Sequence, residues 1–315
     1  MNLALLFDGM LVVLILAVAV WTVTVRDSFA AGIGYATYGL LLALAWVRLA
    51  AVDAALTEAA IGGGLTSVLM IRATVRLRAG EAAARAATPG PLLRLLAALL
   101  GGSVAAGLAL VVLALPDPAP TLAPQVAEHI ATTGLGNAVT AVLLSFRAID
   151  TLLEAVVLIF ALIAVWTLTP DRFWGGRPGP KYETDPNGML AYLARLLPPI
   201  GIVVAVYVLW VGADLPGGKF QAGTLLAAMW LLAIMAGLTE APPISRRWLR
   251  GVLVAGTVVF LAIGFAGVPL AGAFLAYPEG FAKPLIVAIE AASMLSIAFT
   301  LALLVLGPPE RSDQA

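Results

Sequence analysis

Apolar runs of about twenty residues follow one another along almost the whole chain, separated by short polar breaks. They fall near residues 3–23, 29–47, 50–71, 92–115, 146–168, 190–211, 223–238, 249–265 and 281–306. A helix of about 20 apolar residues crosses a hydrocarbon core of roughly 30 Å. The runs are continuous and not alternating, which excludes the strands of a β-barrel and leaves helices, whose backbone is satisfied internally in lipid. The pattern therefore predicts an all-α fold, a polytopic membrane helical bundle of about nine transmembrane helices. Three connections are longer than turns. Residues 72–91 are basic and rich in alanine, which predicts a helical extension beyond the membrane. Residues 116–145 are rich in proline and acidic, with Asp117 and Glu128, and read as a loop. Residues 169–189 contain DRFWGGRPGPKYETDPNG, where glycine and proline interrupt any regular element.

Composition agrees with lipid as the solvent. Hydrophobic residues make up 62% and charged residues 11%, with a mean hydropathy of +1.02, whereas about a quarter of a soluble domain is charged. The net charge of zero selects no partner, and no feature points to nucleic acid. There is no cysteine and one histidine, His129. That removes iron–sulfur and bis-histidine haem ligation within the chain and disfavours a zinc site, so no cofactor is expected. The absence of GxxxxGK[ST] removes ATP hydrolysis by a P-loop. Residues 1–20 lack a basic leading region and a small-residue cleavage site, and read as a retained first span.

Charge between the spans orients them. Arg26, Arg72, Arg76, Arg78, Arg85, Arg94, Arg172, Arg177, Lys181, Arg246, Arg247 and Arg250 follow odd-numbered spans. The opposite connections carry little beyond Arg48, Lys219 and Lys283. Basic connections stay on the cytoplasmic side, which predicts the N-terminus outside and the C-terminus cytoplasmic. On this reading no lysine lies in the middle of a span.

Spans three, five and nine carry acids, and an ionised carboxylate in mid-bilayer costs roughly 2.5–3.5 kcal/mol on insertion scales. In span three, VDAALTEAAIGGGLTSVL places Glu58 about 7.5 Å deeper than Asp53 at helical rise. Thr57 stands one turn from Asp53, within hydrogen-bonding reach. Gly62, Gly63 and Gly64 follow, suited to a close helix approach or a bend. In span five, Arg147, Asp150 and Glu154 are spaced three and four apart and share one helix face. Arg147 pairs with Asp150, while Glu154 lies deeper without a partner in its own helix. In span nine, Glu290 lies seven residues beyond Lys283. Glu58, Glu154 and Glu290 each fall roughly 10–15 Å below the same boundary, one layer suited to a lateral ion or proton path. The alternative is that each acid is structural glue, bonded to a hydroxyl or carbonyl between helices. Pro216-Gly217-Gly218 makes a tight turn that any hairpin could use.

Several motifs resemble the small modules of Mrp-type multisubunit sodium/proton antiporters and related membrane-bound hydrogenases. Asp53-Ala54-Ala55-Leu56-Thr57-Glu58-Ala59 looks like D-x-A-L-T-E-A, from the three-helix module at the end of the large antiporter A subunit. Asn137-Ala138-Val139-Thr140, with the run from Phe146 to Glu154, resembles N-V-V-T and D-[FY]-R-G-x-D-T-x-G-E of the two-helix module after it. Residues 212–223, GADLPGGKFQAG, resemble G-H-x-x-P-G-G-G-F-x-x-G of the four-helix antiporter B subunit. The resemblance implies a fusion of three modules, residues 1–86, 87–175 and 176–315. Ser145 stands where the motif has an acid, Ala148 and Leu153 where it has glycines, and Ala213 where it has a histidine. The long antiporter core is missing, which implies a separate large antiporter-type subunit among other membrane partners.

The resemblance implies a transport subunit, not an enzyme, in a prokaryotic inner membrane. It would carry sodium ions or protons along a path through Asp53, Glu58, Arg147, Asp150, Glu154 and Glu290, with Pro216, Gly217 and Gly218 as a structural motif. Three alternatives remain open: a subunit of a hydrogenase-like redox complex, a non-conducting scaffold, and part of an inorganic-carbon uptake system.

Overall fold

The computed structural model describes residues 3–86 and 90–312. Helices α1 (Leu3–Thr24) and α2 (Ser28–Arg48) form a hairpin. Asp27 caps α2 by accepting from the Ala30 amide at 2.7 Å, satisfying one of the unpaired donors of the first turn. At the other end Arg48 returns to Asp8 through two hydrogen bonds of 2.7 and 3.0 Å.

The third span is not a uniform helix. α3 (Val52–Thr57) passes into a π-helical stretch, Glu58–Thr66, before α4 (Ser67–Ala86) resumes α geometry. Gly62 and Gly63 lie in that stretch, and a Cβ on Gly39 of α2 would stand only 2.7 Å from the Gly63 amide. The glycines thus serve both the widened turn and the close approach of α2. Ser67 Oγ donates to the Gly62 carbonyl at 3.0 Å, occupying an acceptor within the widened stretch. Helix α4 continues as far as Ala86, as the alanine-rich sequence predicts. α5 (Pro91–Ala114) begins on a proline that gives up no needed donor, and none of its residues is buried.

The connection at 116–145 departs from the expected loop. It contains α6 (Ala123–His129), a 3-10 turn at Ile130–Thr133, α7 (Ala138–Ala141) and a π turn at Val142–Phe146. The two halves, Ala123–Thr133 and Ala138–Phe146, meet at 85°. The second half is held from outside itself: the Gly136 and Asn137 amides both donate to the Ala213 carbonyl, at 3.0 and 3.1 Å.

α8 (Ala148–Trp166), α9 (Met189–Val211), α10 (Lys219–Met235), α11 (Arg247–Ala271) and α12 (Ala282–Leu306) build the body. α12 is its centre, with 67% of its most apolar window buried against 28% or less in every other span. It packs on α8, α9, α10 and α11. Among the described residues eight helices are long and apolar enough to cross a membrane. The remaining expected span, α10, is a shorter apolar helix of 17 residues.

A two-stranded sheet also goes beyond the sequence pattern. β1 (Arg177–Pro178), inside the glycine- and proline-rich connection, pairs antiparallel with β2 (Pro309–Arg311). Arginines gather at this end. Arg72 donates to the Val305 and Leu306 carbonyls that end α12, a favourable place for a cation. Arg76 pairs with Glu310, and Arg177 and Arg311 both reach Glu240, at 3.3 and 3.7 Å. Arg250 donates to the Ile244 carbonyl. Arg72, Arg76, Arg177 and Arg250, which follow odd-numbered spans, thus meet at one end of the bundle.

The arginine bias predicts that this end is cytoplasmic. In intact cells, Asn187→Cys should resist an impermeant thiol reagent added outside, and Thr121→Cys should react. Both side chains are exposed. The reverse labelling pattern would invert the topology.

Candidate functional site

The site is organised by the turn between α9 and α10. Gly217 and Gly218 have φ of 154° and 126°, which side chains disfavour. A Cβ on Gly218 would stand 2.9 Å from Glu290 Oε1, and one on Gly217 would strike the Val208 carbonyl. Without side chains, the turn brings its backbone amides directly onto two carboxylates. The Gly217 amide donates to Asp53 Oδ1 at 3.0 Å, and the Lys219 amide donates to Glu290 Oε1 at 3.3 Å. The second contact places a carboxylate at the N-terminus of α10, where the helix dipole favours negative charge.

Neighbouring side chains fix the turn from the other side. Asn137 Nδ2 donates to both Asp53 oxygens, at 3.3 and 3.4 Å, and to the Leu215 carbonyl at 3.0 Å. Its own Oδ1 accepts from the Val139 amide and caps α7. Thr140 Oγ1 donates to the Gly212 carbonyl at 2.6 Å, and Gln221 Nε2 donates to Thr57 Oγ1 at 2.9 Å. Thr57 is thus not a ligand of the Asp53 carboxylate; its hydroxyl donates to the Asp53 backbone carbonyl. The Pro216-Gly217-Gly218 turn is likewise more than a hairpin turn, because three separate segments hang on it.

Lys219, which the sequence pattern leaves in a connection, opens α10 and is buried. It is only 7% exposed, with Nζ 3.5 Å from Glu154 Oε1. The separation suits an ion pair, but Glu154 Oε1 has no aligned hydrogen bond, nor have Glu290 Oε2 and Ser293 Oγ among the described residues. The physical reason is the anchoring of the turn to Asp53 and Glu290, which carries the first residue of α10 into the bundle. Glu154, unpartnered within α8, finds its counter-charge on another helix. Only the residue's identity could have signalled this, a lysine where the quoted B-subunit motif has a third glycine. The hydropathy run, which starts at residue 223, left it outside the span.

A cavity of about 890 Å³ collects most of the predicted acids. Asp53 and Glu58 enter from the third span, Glu154 from α8, Lys219 from α10 and Glu290 from α12; Pro216, Gly217 and Gly218 also line it. Glu58 opens the π-helical stretch and folds over Gly62, where a Cβ would collide with its carboxylate. Arg147 and Asp150 are not brought into this group. They pair at 2.7 Å, as their spacing predicts, but they are 70% and 45% exposed and lie outside the cavity lining.

Asp214, in the connection after α9, is gripped by Lys283 at the start of α12 with two contacts of 2.7 Å. That hydrogen bond, aided by the Gly136 amide, holds the Asp214 carboxyl below its usual range. Its small stabilising effect is present above the ordinary carboxylate value and is lost as pH falls through the lowered one. Tyr277 donates to the Leu144 carbonyl at 2.7 Å, and burial raises its phenol above the usual range.

Comparison with known proteins now bears on this geometry. Residues 13–79 match the MbhD family, a component of MBH, and residues 189–308 match a domain related to the MnhB subunit of Na+/H+ antiporter. The chain joins an MbhD-like segment to an MnhB-like segment. An uncharacterized protein of Methanocaldococcus jannaschii is 25% identical over 154 residues, 44% of this chain and 59% of that one. The chain thus spans less than two thirds of that relative. In fold it is similar to a chain of the Mrp complex from Dietzia sp. DQ12-45-1b, with TM-score 0.75 and 24% identity. That likeness covers 98% of this chain and 35% of the other. The membrane-bound sulfane sulfur reductase (MBS), an archaeal respiratory membrane complex, supplies a second likeness. Its TM-score is 0.56 at 25% identity, over 68% of this chain and 97% of the other.

The cavity lies where the segments meet. Asp53 and Glu58 belong to the MbhD-like segment, Lys219 and Glu290 to the MnhB-like segment, and Glu154 to the stretch between them. Asp53 is one direct link between the two segments, beside the Gln221–Thr57 and Arg72–Val305 contacts, because its carboxylate accepts the Gly217 amide. Hydrogen bonds to a charged group contribute about 1.5–3 kcal/mol, so Asp53→Ala should lower the stability of the purified protein by about 2 kcal/mol. Gly218→Ala should also destabilise it, through both the φ and the collision with Glu290. Thermal unfolding in detergent measures both, and an unchanged midpoint for Asp53→Ala would remove the link.

Proposed function

We propose that the chain is a membrane subunit of a Mrp-like complex and carries part of a path for sodium ions or protons. The observation that carries this reading is the single cavity where Asp53, Glu58, Glu154, Lys219 and Glu290 meet, at the junction of the MbhD-like and MnhB-like segments. Acids within a membrane are costly, and they mark substrate and proton paths when they line a polar cavity. The groups here are the kinds that exchange protons or bind cations, so the subunit transports and does not transform a substrate. The stretch between the segments is a module of two long helices, α5 and α8, with the bent helices of residues 123–146 between them. The partners are other membrane subunits, among them a large antiporter-type subunit, in a prokaryotic inner membrane. The fully exposed face of α5 supports such packing, because an apolar helix with no buried residue has only lipid or another subunit to cover it.

The likeness to the sulfane sulfur reductase and to the MbhD family supports a second reading, a subunit of a redox-driven complex with the same ion path. Affinity purification of the native complex followed by mass spectrometry separates the two. Redox subunits co-purifying in stoichiometric amounts would select the second.

Glu154→Gln and Glu290→Gln keep size and hydrogen bonding but cannot release a proton. Each should leave assembly intact and remove most ion transport by the complex, and Glu58→Gln should do likewise. Transport per assembled complex in membrane vesicles is the measurement. Unchanged transport in all three variants would reduce the subunit to a scaffold. The subunit alone in liposomes should conduct nothing above a Glu154→Gln control.

A further inference from the structure

The large cavity is not the only space that reaches Lys219. On the other side a crevice of about 10 Å³ opens between α8, α11 and α12, about the volume that one water molecule needs. Its polar lining is Glu154, Lys219, Thr257, Ser293, Ser296 and Thr300. Among the described residues, Glu154 and Lys219 alone line both spaces. Glu290, Ser293, Ser296 and Thr300 are spaced three, three and four apart on α12, so they descend along one helix face towards the arginine-rich end. Ser296 Oγ is fully used, accepting from the Gly256 amide and donating to the Val252 carbonyl at 2.8 Å each. Ser293 Oγ is buried and has no partner among the described residues.

We propose that Lys219 is a proton-transfer residue joining the cavity to this crevice, and that it makes the path one for protons and not for sodium. The inference rests on the reading that the cavity's carboxylates form an ion path, and it goes further by naming the ion and the exit. Three observations carry it. The Lys219 Nζ stands 3.5 Å from Glu154 Oε1, where a cation held by that carboxylate would otherwise sit, while the Lys219 backbone amide meets Glu290. The charged and titratable groups around it are Glu154 from α8 and Glu290 from α12, with Asp53 and Glu58 across the cavity. Finally, the exit admits one water at most, too little for a sodium ion with its hydration shell, while a proton crosses on a single water and a hydroxyl.

The step balances as a relay. A protonated Glu154 or Glu290 gives its proton to the neutral Lys219 amine, leaving a carboxylate and an ammonium. The ammonium then releases one proton to a water in the crevice, beside Ser293 Oγ, and returns to the amine. One proton enters from the cavity and one leaves towards Thr300, with no net change in the site.

Arginine separates this role from that of a fixed counter-ion, since it keeps the charge but does not deprotonate. In vesicles holding the assembled complex, Lys219→Arg and Lys219→Gln should both slow proton movement, read by a pH-sensitive dye, at least tenfold. A Lys219→Arg complex within twofold of the native rate would overturn the proposal. Should Lys219→Arg fail to assemble, Ser293→Ala and Thr300→Val decide, because they touch only the crevice. Each should slow proton movement at least threefold, and native rates in both would overturn the exit. Radioactive sodium provides the selectivity test. The purified complex should retain none that depends on Glu290, and retention abolished by Glu290→Gln would overturn proton selectivity. Native transport in Glu58→Gln, Glu154→Gln and Glu290→Gln alike would instead sink the underlying functional reading, whereas loss in those variants with near-native rates in Lys219→Arg would sink this inference alone.

Discussion

An ammonium buried inside a membrane bundle must find its counter-charges within the protein, because stripping water from an ion costs several kcal/mol even after relaxation. Lys219 finds them on two helices distant in sequence, Glu154 of α8 and Glu290 of α12. That requirement fixes the relative placement of α8, α10 and α12 along the bundle axis. It also accounts for the short α10, whose first turn lies inside the bundle and not at its rim. The same residue serves twice, since its side chain faces Glu154 while its backbone amide meets Glu290. Charge and helix dipole therefore act at one point.

The turn that delivers Lys219 also holds the molecule's two recognisable segments together. Asp53 of the MbhD-like segment accepts a backbone amide from the MnhB-like turn, and Asn137, from the stretch between them, donates to both. Small residues are what allow this. Gly217 and Gly218 present backbone without side chains, just as Gly39, Gly62 and Gly63 let α2 lie on the π-helical stretch that begins at Glu58. In lipid, where apolar side chains gain little from meeting one another, such close approach and buried polar bonding drive helix association. The sites of close approach are also the sites of the carboxylates.

The two ends of the bundle are chemically different. One is closed by arginines on the last carbonyls of α12 and on Glu240 and Glu310, and by the small sheet. The other carries the Asp8–Arg48 and Asp214–Lys283 pairs and the bent helices of residues 123–146. The cavity and the crevice meet at Glu154 and Lys219 between these ends, so one ion pair separates a wide space from a narrow one.

Hydropathy alone located the eight helices long and apolar enough to span, because a run of apolar residues in water has no alternative to lipid and in lipid no alternative to a helix, but it read the bent helices of residues 123–146 as a loop. Local spacing was equally reliable where the partners share a helix: Arg147 and Asp150 pair as their separation dictates. The depth of Glu58, Glu154 and Glu290 could be counted at helical rise, and all three line one cavity. What the sequence could not express is contact between segments far apart in the chain. Thr57 was the nearest hydroxyl to Asp53 by spacing, yet Gly217 and Asn137, more than eighty residues away, hold the carboxylate. The bent helices of residues 123–146 form because the Ala213 carbonyl accepts the Gly136 and Asn137 amides, a partner no local pattern specifies. Lys219 looked like a boundary residue because hydropathy averages over a window and a lone charge beside glycines ends the run. Only the folded chain, by sinking the Pro-Gly-Gly turn onto Asp53 and Glu290, made that charge the centre of the site.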